Sequence, residues 1–233
     1  MHGSYLSNSY LVADQKGGSA VFIDSGAPIE PLLAAVSELG VTVTHVLNTH
    51  EHHDHTTFNV ELQERFDVPL LGPGSIADGE QVVSGTLRIK ALSTPGHTER
   101  HLAFLVDDEA CFTGDALFAG SVGGTLGGGP DGFQQLRHSI MDVFMQLDHG
   151  ITVYPGHTDE TTIGREWEEN PFIRVWRGLD PQADEPVQVS GNPATLVLWA
   201  GDYDGGHKAW VRLPDGREAI VGGRMVQREA AHA

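Results

Sequence analysis

The 233-residue sequence predicts an α+β protein in which sheets are covered by helices. Three observations predict it. Short apolar runs rich in β-branched and aromatic residues are bounded by turn residues. Other stretches repeat their apolar residues at helical spacing. The strand-like runs read mostly as antiparallel neighbours.

In chain order, SYLVAD (9–14) and SAVFIDSG (19–26) read as strands, with Gly17 and Gly18 forming a hairpin-like turn between them. APIEPLLAAVSELG (27–40) is helical. Leu32, Leu33, Val36 and Leu39 share a face, and Gly40 stands where a helix stops. VTVTHVLN (41–48) is a strand that runs into a histidine-rich turn. A helix is expected just after those histidines in TTFNVELQERFD, where Phe58, Leu62 and Phe66 share a face. VPLLG, TLRIKAL, HLAFLVDD and ACFTG follow as strands. SVGGTLGGGPDG (121–132) is too glycine-rich for regular structure and reads as a mobile or tightly turning loop. Asp131 caps a helix in GFQQLRHSIMDVFMQLDHG, whose stripe is Phe133, Leu136, Ile140, Val143 and Leu147. ITVYPGH is a strand and TTIGREWEEN a short helix.

Past Gly178 the texture changes. LDPQADEPVQVSGNP reads as a linker, and ATLVLWAG, HKAWVRLP and REAIVGG as three short strands. The expected organisation is one domain over residues 1–178, then residues 179–233 as a linker plus a small C-terminal β appendage.

The bulk composition excludes several function classes. The net charge of −18, from 32 acidic against 14 basic residues, opposes nucleic-acid binding, which relies on Lys and Arg to neutralise phosphates. A single cysteine, Cys111, rules out intramolecular disulfides and Cys-rich zinc sites. No basic start with an apolar run marks a signal peptide, and nothing approaches the ~18–20 apolar residues of a membrane span. A cytoplasmic protein with no membrane partner is expected.

The chemistry gathers at strand ends. THVLN leads into His50, His52, Asp54 and His55, ALSTPGHT carries His97, CFTGD carries Asp115 and ITVYPGH carries His157. Loops at strand ends let a rigid scaffold aim side chains at one point. Alternate residues 50 and 52 can face one side of an extended turn, while 54 and 55 serve a second point nearby. Asp115 is the natural bridge, because a carboxylate offers two oxygens. Two cations roughly 3.5–4 Å apart can share a hydroxide and form it near neutral pH. Imidazole and carboxylate donors suit zinc, and also iron and manganese. A lone PGH or TGD is an ordinary turn; H-x-H-x-D-H joined by three further donors, in order, is a metal signature.

The series THEHHDH, TPGHT, FTGD and YPGHT resembles the metallo-β-lactamase superfamily, and closest to it the glyoxalase II-like hydrolases, over residues from about 9 to 177. The resemblance implies an αβ/βα sandwich with two divalent metal ions, zinc first, at one edge. It implies His50, His52 and His97 on the first ion, Asp54, His55 and His157 on the second, and Asp115 between them. Asp54 and Asp115 are then the catalytic carboxylates, Asp54 being a ligand that also orients the nucleophile or receives its proton. Asp115 stands where the main class of true β-lactamases carries Cys, which argues against a β-lactam specialist.

The implied function is metal-dependent hydrolysis by a metal-bridging hydroxide of a small-molecule thioester, an acyl-glutathione or another acyl-thiol. Two departures bear on glutathione: the 119–129 loop holds no Lys or Arg, and a β appendage replaces the helical thiol-binding region of that group. The competing readings are a mononuclear iron persulfide dioxygenase using His50, His97 and Asp115, a lactonase or phosphodiesterase on the same centre, and a non-catalytic metal-bearing binding protein.

Of the other residues, His53 occupies the free position of the motif and is expected to point away. Arg100 reads as a solvated cation, with a substrate carboxylate as its other use. His101 reads as structural, and Cys111 as a buried small hydrophobe. Asp24 is expected to support the metal loop by a hydrogen bond. Trp199 and Trp210 are expected to pack the appendage. His2, His45, His138, His149, His207 and His232 default to surface or core roles.

Overall fold

A computed structural model of the chain describes residues 7–228, so His2 and His232 lie outside the described residues. The N-terminal half opens with β1 (Tyr10–Ala13), β2 (Ser19–Ile23), α1 (Glu30–Leu39), β3 (Thr42–Leu47), α2 (His53–Thr56), α3 (Asn59–Phe66) and β4 (Leu70–Leu71). These strands form a sheet in the order β1-β2-β3-β4, antiparallel at β1–β2 and parallel beyond. Next come β5 (Gln81–Ser84), β6 (Leu87–Ser93), β7 (Leu102–Val106), β8 (Ala110–Gly114), β9 (Leu117–Phe118), β10 (Ser121–Val122), α4 (Gly132–His138), β11 (Thr152–Pro155), β12 (Thr161–Thr162), α5 (Ile163–Glu169) and α6 (Pro171–Trp176). The second sheet runs β12-β11-β8-β7-β6-β5, while β9 and β10 make a separate hairpin.

Alternation along β2 sets the layers, because successive strand residues face opposite ways. Val21 and Ile23 face the second sheet, packing with Ile89, Phe104 and Phe112. Ala20 and Phe22 face outward to Val36 of α1 and Leu62 of α3. The outer face of the second sheet, with Ala103, Leu105, Cys111 and Val153, packs on Phe133, Leu136, Phe172 and Ile173 of the remaining helices. Helix, sheet, sheet and helix stack in that order, which is the expected αβ/βα sandwich.

Several elements differ from expectation. The helix expected after the histidines begins among them, since α2 starts at His53. Asp131 stands at the N-cap of α4, but its carboxylate accepts no capping hydrogen bond. The long helix expected from residue 132 breaks after His138 into a π turn (Ser139–Val143) and a 3-10 turn (Phe144–Gln146). At the break, the Ser139 hydroxyl donates to the Pro95 carbonyl at 2.8 Å, tying this element to the loop that carries His97. No helix among the described residues is long and apolar enough to cross a membrane.

The C-terminal region has five strands, not three. They are β13 (Glu185–Val189), β14 (Asn192–Gly201), β15 (His207–Arg212), β16 (Glu218–Gly222) and β17 (Val226–Arg228), all antiparallel in the order β16-β15-β14-β13-β17. The stretch read as linker contains β13, which pairs on both sides despite its Pro186. One face of this sheet joins the main core: Val197, Ala200, Trp210 and Ile220 pack into the cluster of Phe133 and Leu136. The Trp210 ring lies 5.1 Å from Phe133 and 6.1 Å from Trp176. Trp199, by contrast, packs on the opposite face with Met225 and Val226.

Trp210→Ala is therefore expected to destabilise the whole chain by about 3–5 kcal/mol, the usual loss for a buried Trp. Denaturant unfolding should show one transition shifted as a unit. A separate early transition, or a loss under about 1 kcal/mol, would mean that the C-terminal sheet is only loosely attached.

Candidate metal centre

Strand direction brings the donors together. β6 and β8 are each antiparallel to β7, and β11 is parallel to β8, so all three run the same way. Their C-terminal ends share one edge, and the loops there carry His97, Asp115 and His157. β3 of the facing sheet ends at Leu47 and delivers His50, His52, Asp54 and His55. His52 is extended (φ −63°, ψ 143°) and precedes α2. This places His50 and His52 on one side, while the helical turn sends His53 to solvent and Asp54 and His55 to a second point.

Two glycines make the approach possible. Gly96 sits at φ +132°, and a Cβ there would come within 2.3 Å of the Leu136 backbone. A Cβ at Gly156 would lie 2.2 Å from Asp115 Oδ1. Both belong to PGH turns, where only a bare backbone fits.

The seven donors form two groups, each with its donor atoms within 4.8 Å of one another: His50, His52, His97 and Asp115, then Asp54, His55 and His157. In the first, His52 Nδ1 is 3.1 Å from His50 Nε2 and 3.0 Å from His97 Nε2. Asp115 Oδ2 is 3.6 Å from His97 Nε2 and 4.0 Å from His50 Nε2. In the second, Asp54 Oδ2 is 3.8 Å from His55 Nε2 and 3.7 Å from His157 Nε2. Asp115 reaches this group too, with Oδ1 3.3 Å from His55 Nε2 and Oδ2 3.2 Å from His157 Nε2. Four bonds of about 2.0–2.1 Å in a tetrahedron separate their donors by about 3.3 Å, so these spacings suit a small divalent ion. The donor set fits for a second reason. His55 Nε2 and Asp115 Oδ1 are buried with no hydrogen-bond partner among the described residues, an expensive arrangement unless a cation satisfies both.

Outer partners fix the rings. The His50 Nδ1–H donates to Thr49 Oγ1 at 2.9 Å, and that hydroxyl donates to Asp24 Oδ2 at 2.9 Å. The His55 Nδ1–H donates to the same Asp24 oxygen at 2.9 Å. In the neutral tautomers that these bonds select, both Nε2 lone pairs face the site. Asp24 Oδ1 also accepts the Thr49 backbone N–H at 2.8 Å and the Asn48 amide at 3.2 Å. One buried carboxylate thus holds the start and the end of the histidine turn, as the sequence led us to expect. The His97 Nδ1–H donates to the Gly124 carbonyl at 2.9 Å, so the glycine-rich loop turns tightly to orient a donor.

The charges follow from burial. Burial works against ionising the Asp115 carboxyl, but His55 and His157 outweigh it and hold its pKa well below the usual carboxylate range. Burial likewise opposes a charged His55, yet Asp115 and Asp24 raise that imidazole to about 11. The Asp115 charge draws a positive charge to its side, whether a proton or a metal ion. Burial keeps His50 and His97 below the ordinary imidazole value.

Sequence reading missed three contributors. His101 is fully buried and stays neutral, its pKa pushed down to about 3 by burial and then by His97. Its Nδ1–H donates to Thr94 Oγ1 at 2.9 Å, and its Nε2 accepts the Asp115 backbone N–H at 3.1 Å. It holds the Asp115 backbone in place rather than only filling core. Asn8 donates to the Pro155 and Thr158 carbonyls at 3.0 and 2.8 Å, holding the His157 turn from both sides. Tyr203, from the C-terminal sheet, stacks on His157. The place of His101 within PGHTERH, just past His97, is the one sequence signal that could have found it; nothing near Tyr203 did the same. Arg100 is exposed and forms no ion pair among the described residues. Cys111 is buried, and burial pushes its thiol up to about 12, which leaves it inert at neutral pH.

Comparison with known proteins agrees with this fold. The family model described as the metallo-beta-lactamase superfamily matches residues 2–78. Hydroxyacylglutathione hydrolase from Rhodospirillum rubrum is 35% identical over 209 residues, spanning 83% of this chain and 78% of that protein. The crystal structure of ETHE1 from Myxococcus xanthus superposes with a TM-score of 0.66 at 32% identity, over 77% of this chain and 89% of that one. A di-iron-bound form of TTHA1623 superposes with a TM-score of 0.62 at 29% identity, over 74% and 98%. Fold, donor series and relatives together make the chain a member of the metallo-β-lactamase superfamily of metal-dependent hydrolases, in its glyoxalase II-like group.

Proposed function

We propose that this chain is a binuclear metallohydrolase acting on a small acyl-thiol. His50, His52 and His97 would hold one divalent ion, and Asp54, His55 and His157 the other, with Asp115 shared. The observation that carries the reading is the reach of Asp115, whose carboxylate lies 3.2–4.0 Å from imidazole nitrogens of both groups. Bound ions would supply Lewis acidity and a nucleophile drawn from water near neutral pH.

The chain's own groups do the rest. Asp54, partly exposed at the second group, orients water and accepts its proton. Asp24, through Thr49 and His55, keeps the imidazoles in the tautomers that present lone pairs inward. A leaving thiolate, with a pKa near 8.5, departs without a strong acid, and no such acid stands among the donor groups. The 119–129 loop has no Lys or Arg, and Lys208 beyond it is paired with Asp202 at 3.2 Å. This favours an acyl-thiol whose carrier bears little negative charge over the anionic glutathione. The one-iron dioxygenase reading uses His50, His97 and Asp115 alone and leaves Asp54, His55 and His157, which converge equally well, without a role. The likeness to a di-iron form supports two ions and leaves zinc and iron both open as their identity.

The purified chain is expected to hold two equivalents of divalent metal by elemental analysis and to cleave a panel of acyl-thioesters, S-lactoylglutathione among them, without oxygen uptake. One equivalent of iron, with oxygen consumed on glutathione persulfide, would replace this reading with the dioxygenase. His50→Ala and Asp115→Ala should each lower turnover by on the order of a hundredfold or more while the fold persists, since even outer partners of a metal cost up to that much. Full turnover in either variant removes the mechanism. Asp24→Asn keeps a residue that tolerates the left-handed backbone at this position (φ 54°) but removes the charge. Its metal affinity, read by chelator competition, should fall roughly ten- to a hundredfold; wild-type affinity would show that Asp24 does not tune the donors.

A further inference from the structure

The C-terminal sheet reaches the donor cluster through its β14–β15 turn. Tyr203, in that turn, lies face to face with His157, the ring centroids 4.4 Å apart and the planes within 9°. Phe118 meets the same imidazole edge-on at 5.8 Å and Tyr203 at 5.0 Å, so three rings form one block.

His157 differs from three of the other imidazole donors. His50, His55 and His97 each give their Nδ1–H to a fixed oxygen of Thr49, Asp24 or Gly124. His157 Nε2 faces Asp115 at 3.2 Å and Asp54 at 3.7 Å, but its buried Nδ1 has no hydrogen-bond partner among the described residues. Among the described residues no hydrogen bond sets its rotation, and the packed rings are what hold it.

The turn that carries Tyr203 is built for this. Asp202 Oδ1 accepts the Ser121 hydroxyl and the Tyr203 backbone N–H, each at 3.0 Å. Asp202 Oδ2 lies 3.2 Å from the ammonium of Lys208, and both side chains are more than nine-tenths buried. That ammonium also stands 5.4 Å from the Phe118 ring centre and 5.3 Å from that of Tyr203. A buried ion pair costs desolvation, and its best-attested use is to fix one arrangement. Here it fixes the turn against β10, close behind Asp115 in sequence.

We infer that Tyr203 is a positioning residue for His157, its stacked ring doing for the second half of the metal centre what an Nδ1 hydrogen bond does for His50, His55 and His97. The inference rests on the proposed assignment of His157 to the second ion. The C-terminal sheet then completes the centre, and the side chain responsible acts through its aromatic face, not its hydroxyl.

The test is stepwise metal binding by the full chain, stripped with chelator and titrated with Zn²⁺ against a chromophoric competitor. Wild type should take two ions and His157→Ala one. Tyr203→Phe should match wild type in both steps. Tyr203→Ala and Tyr203→Leu should weaken the second step by about tenfold or more and leave the first unchanged. Circular dichroism melts of the stripped proteins check that each variant is folded, and Leu keeps the bulk if Ala does not fold. Unchanged second-ion binding in the Leu variant, equal weakening of both steps, or a Phe variant as weak as Leu overturns the inference. A wild type that takes fewer than two ions, or a His157→Ala variant that takes both, overturns the assignment beneath it and is recognisable because it does not involve Tyr203.

Discussion

A negative charge has been carried to a buried place, and the rest of the molecule answers it. Asp115 is 5% exposed, its carboxyl is held ionised, and imidazole nitrogens of His50, His55, His97 and His157 lie within 4.0 Å of its oxygens. An isolated buried carboxylate would be far too costly. It persists because three other turns, from two facing sheets, bring donors around it, leaving room for compensating cations. A second buried carboxylate, Asp24, behaves in the opposite way. Hydrogen bonds satisfy both of its oxygens, and it holds the imidazoles still. One acid is kept short of partners and the other is saturated, and the difference suits the first to hold a cation and the second to support it.

The sandwich explains how the donors meet. Parallel alignment of β6, β8 and β11 sends three loops off one edge, and β3 sends a fourth from the opposing sheet. Each of the three is pinned: by Asn8 and Tyr10 on the Pro155 carbonyl, by Ser139 on Pro95, by His101 on the Asp115 backbone. The C-terminal sheet belongs to this support. Trp210 and Ile220 anchor it in the main core, and the Asp202–Lys208 pair steadies the turn at the site.

The donor set was legible because it is written in local spacing. H-x-H-x-D-H and the two PGH turns place chemistry at strand ends whatever the surrounding sheet does, and Asp24 stood out as an acid at the end of an apolar strand. The layers of sheet and helix followed from the periods of 2 and 3.6. Less was legible where tertiary contacts override local pattern. β9, β10 and β12 have only two residues each, too few to show a period. β13 hid behind Pro186 and a polar run, because its pairing comes from β14 and β17 rather than from its own residues. The break after His138 falls inside an unbroken apolar stripe and is visible only in the changed backbone bonding. His101 and Tyr203 act on partners 14 and 46 residues away, contacts that the fold makes; the chain hints at the first only through the nearness of His101 to His97, and at the second not at all.

The most direct measurement is anomalous diffraction at the metal absorption edge from crystals of the chain as purified. The account predicts two peaks flanking the Asp115 carboxylate, one within bonding distance of His50, His52 and His97 and the other of Asp54, His55 and His157. A single peak, or a pair that does not share Asp115, would contradict it.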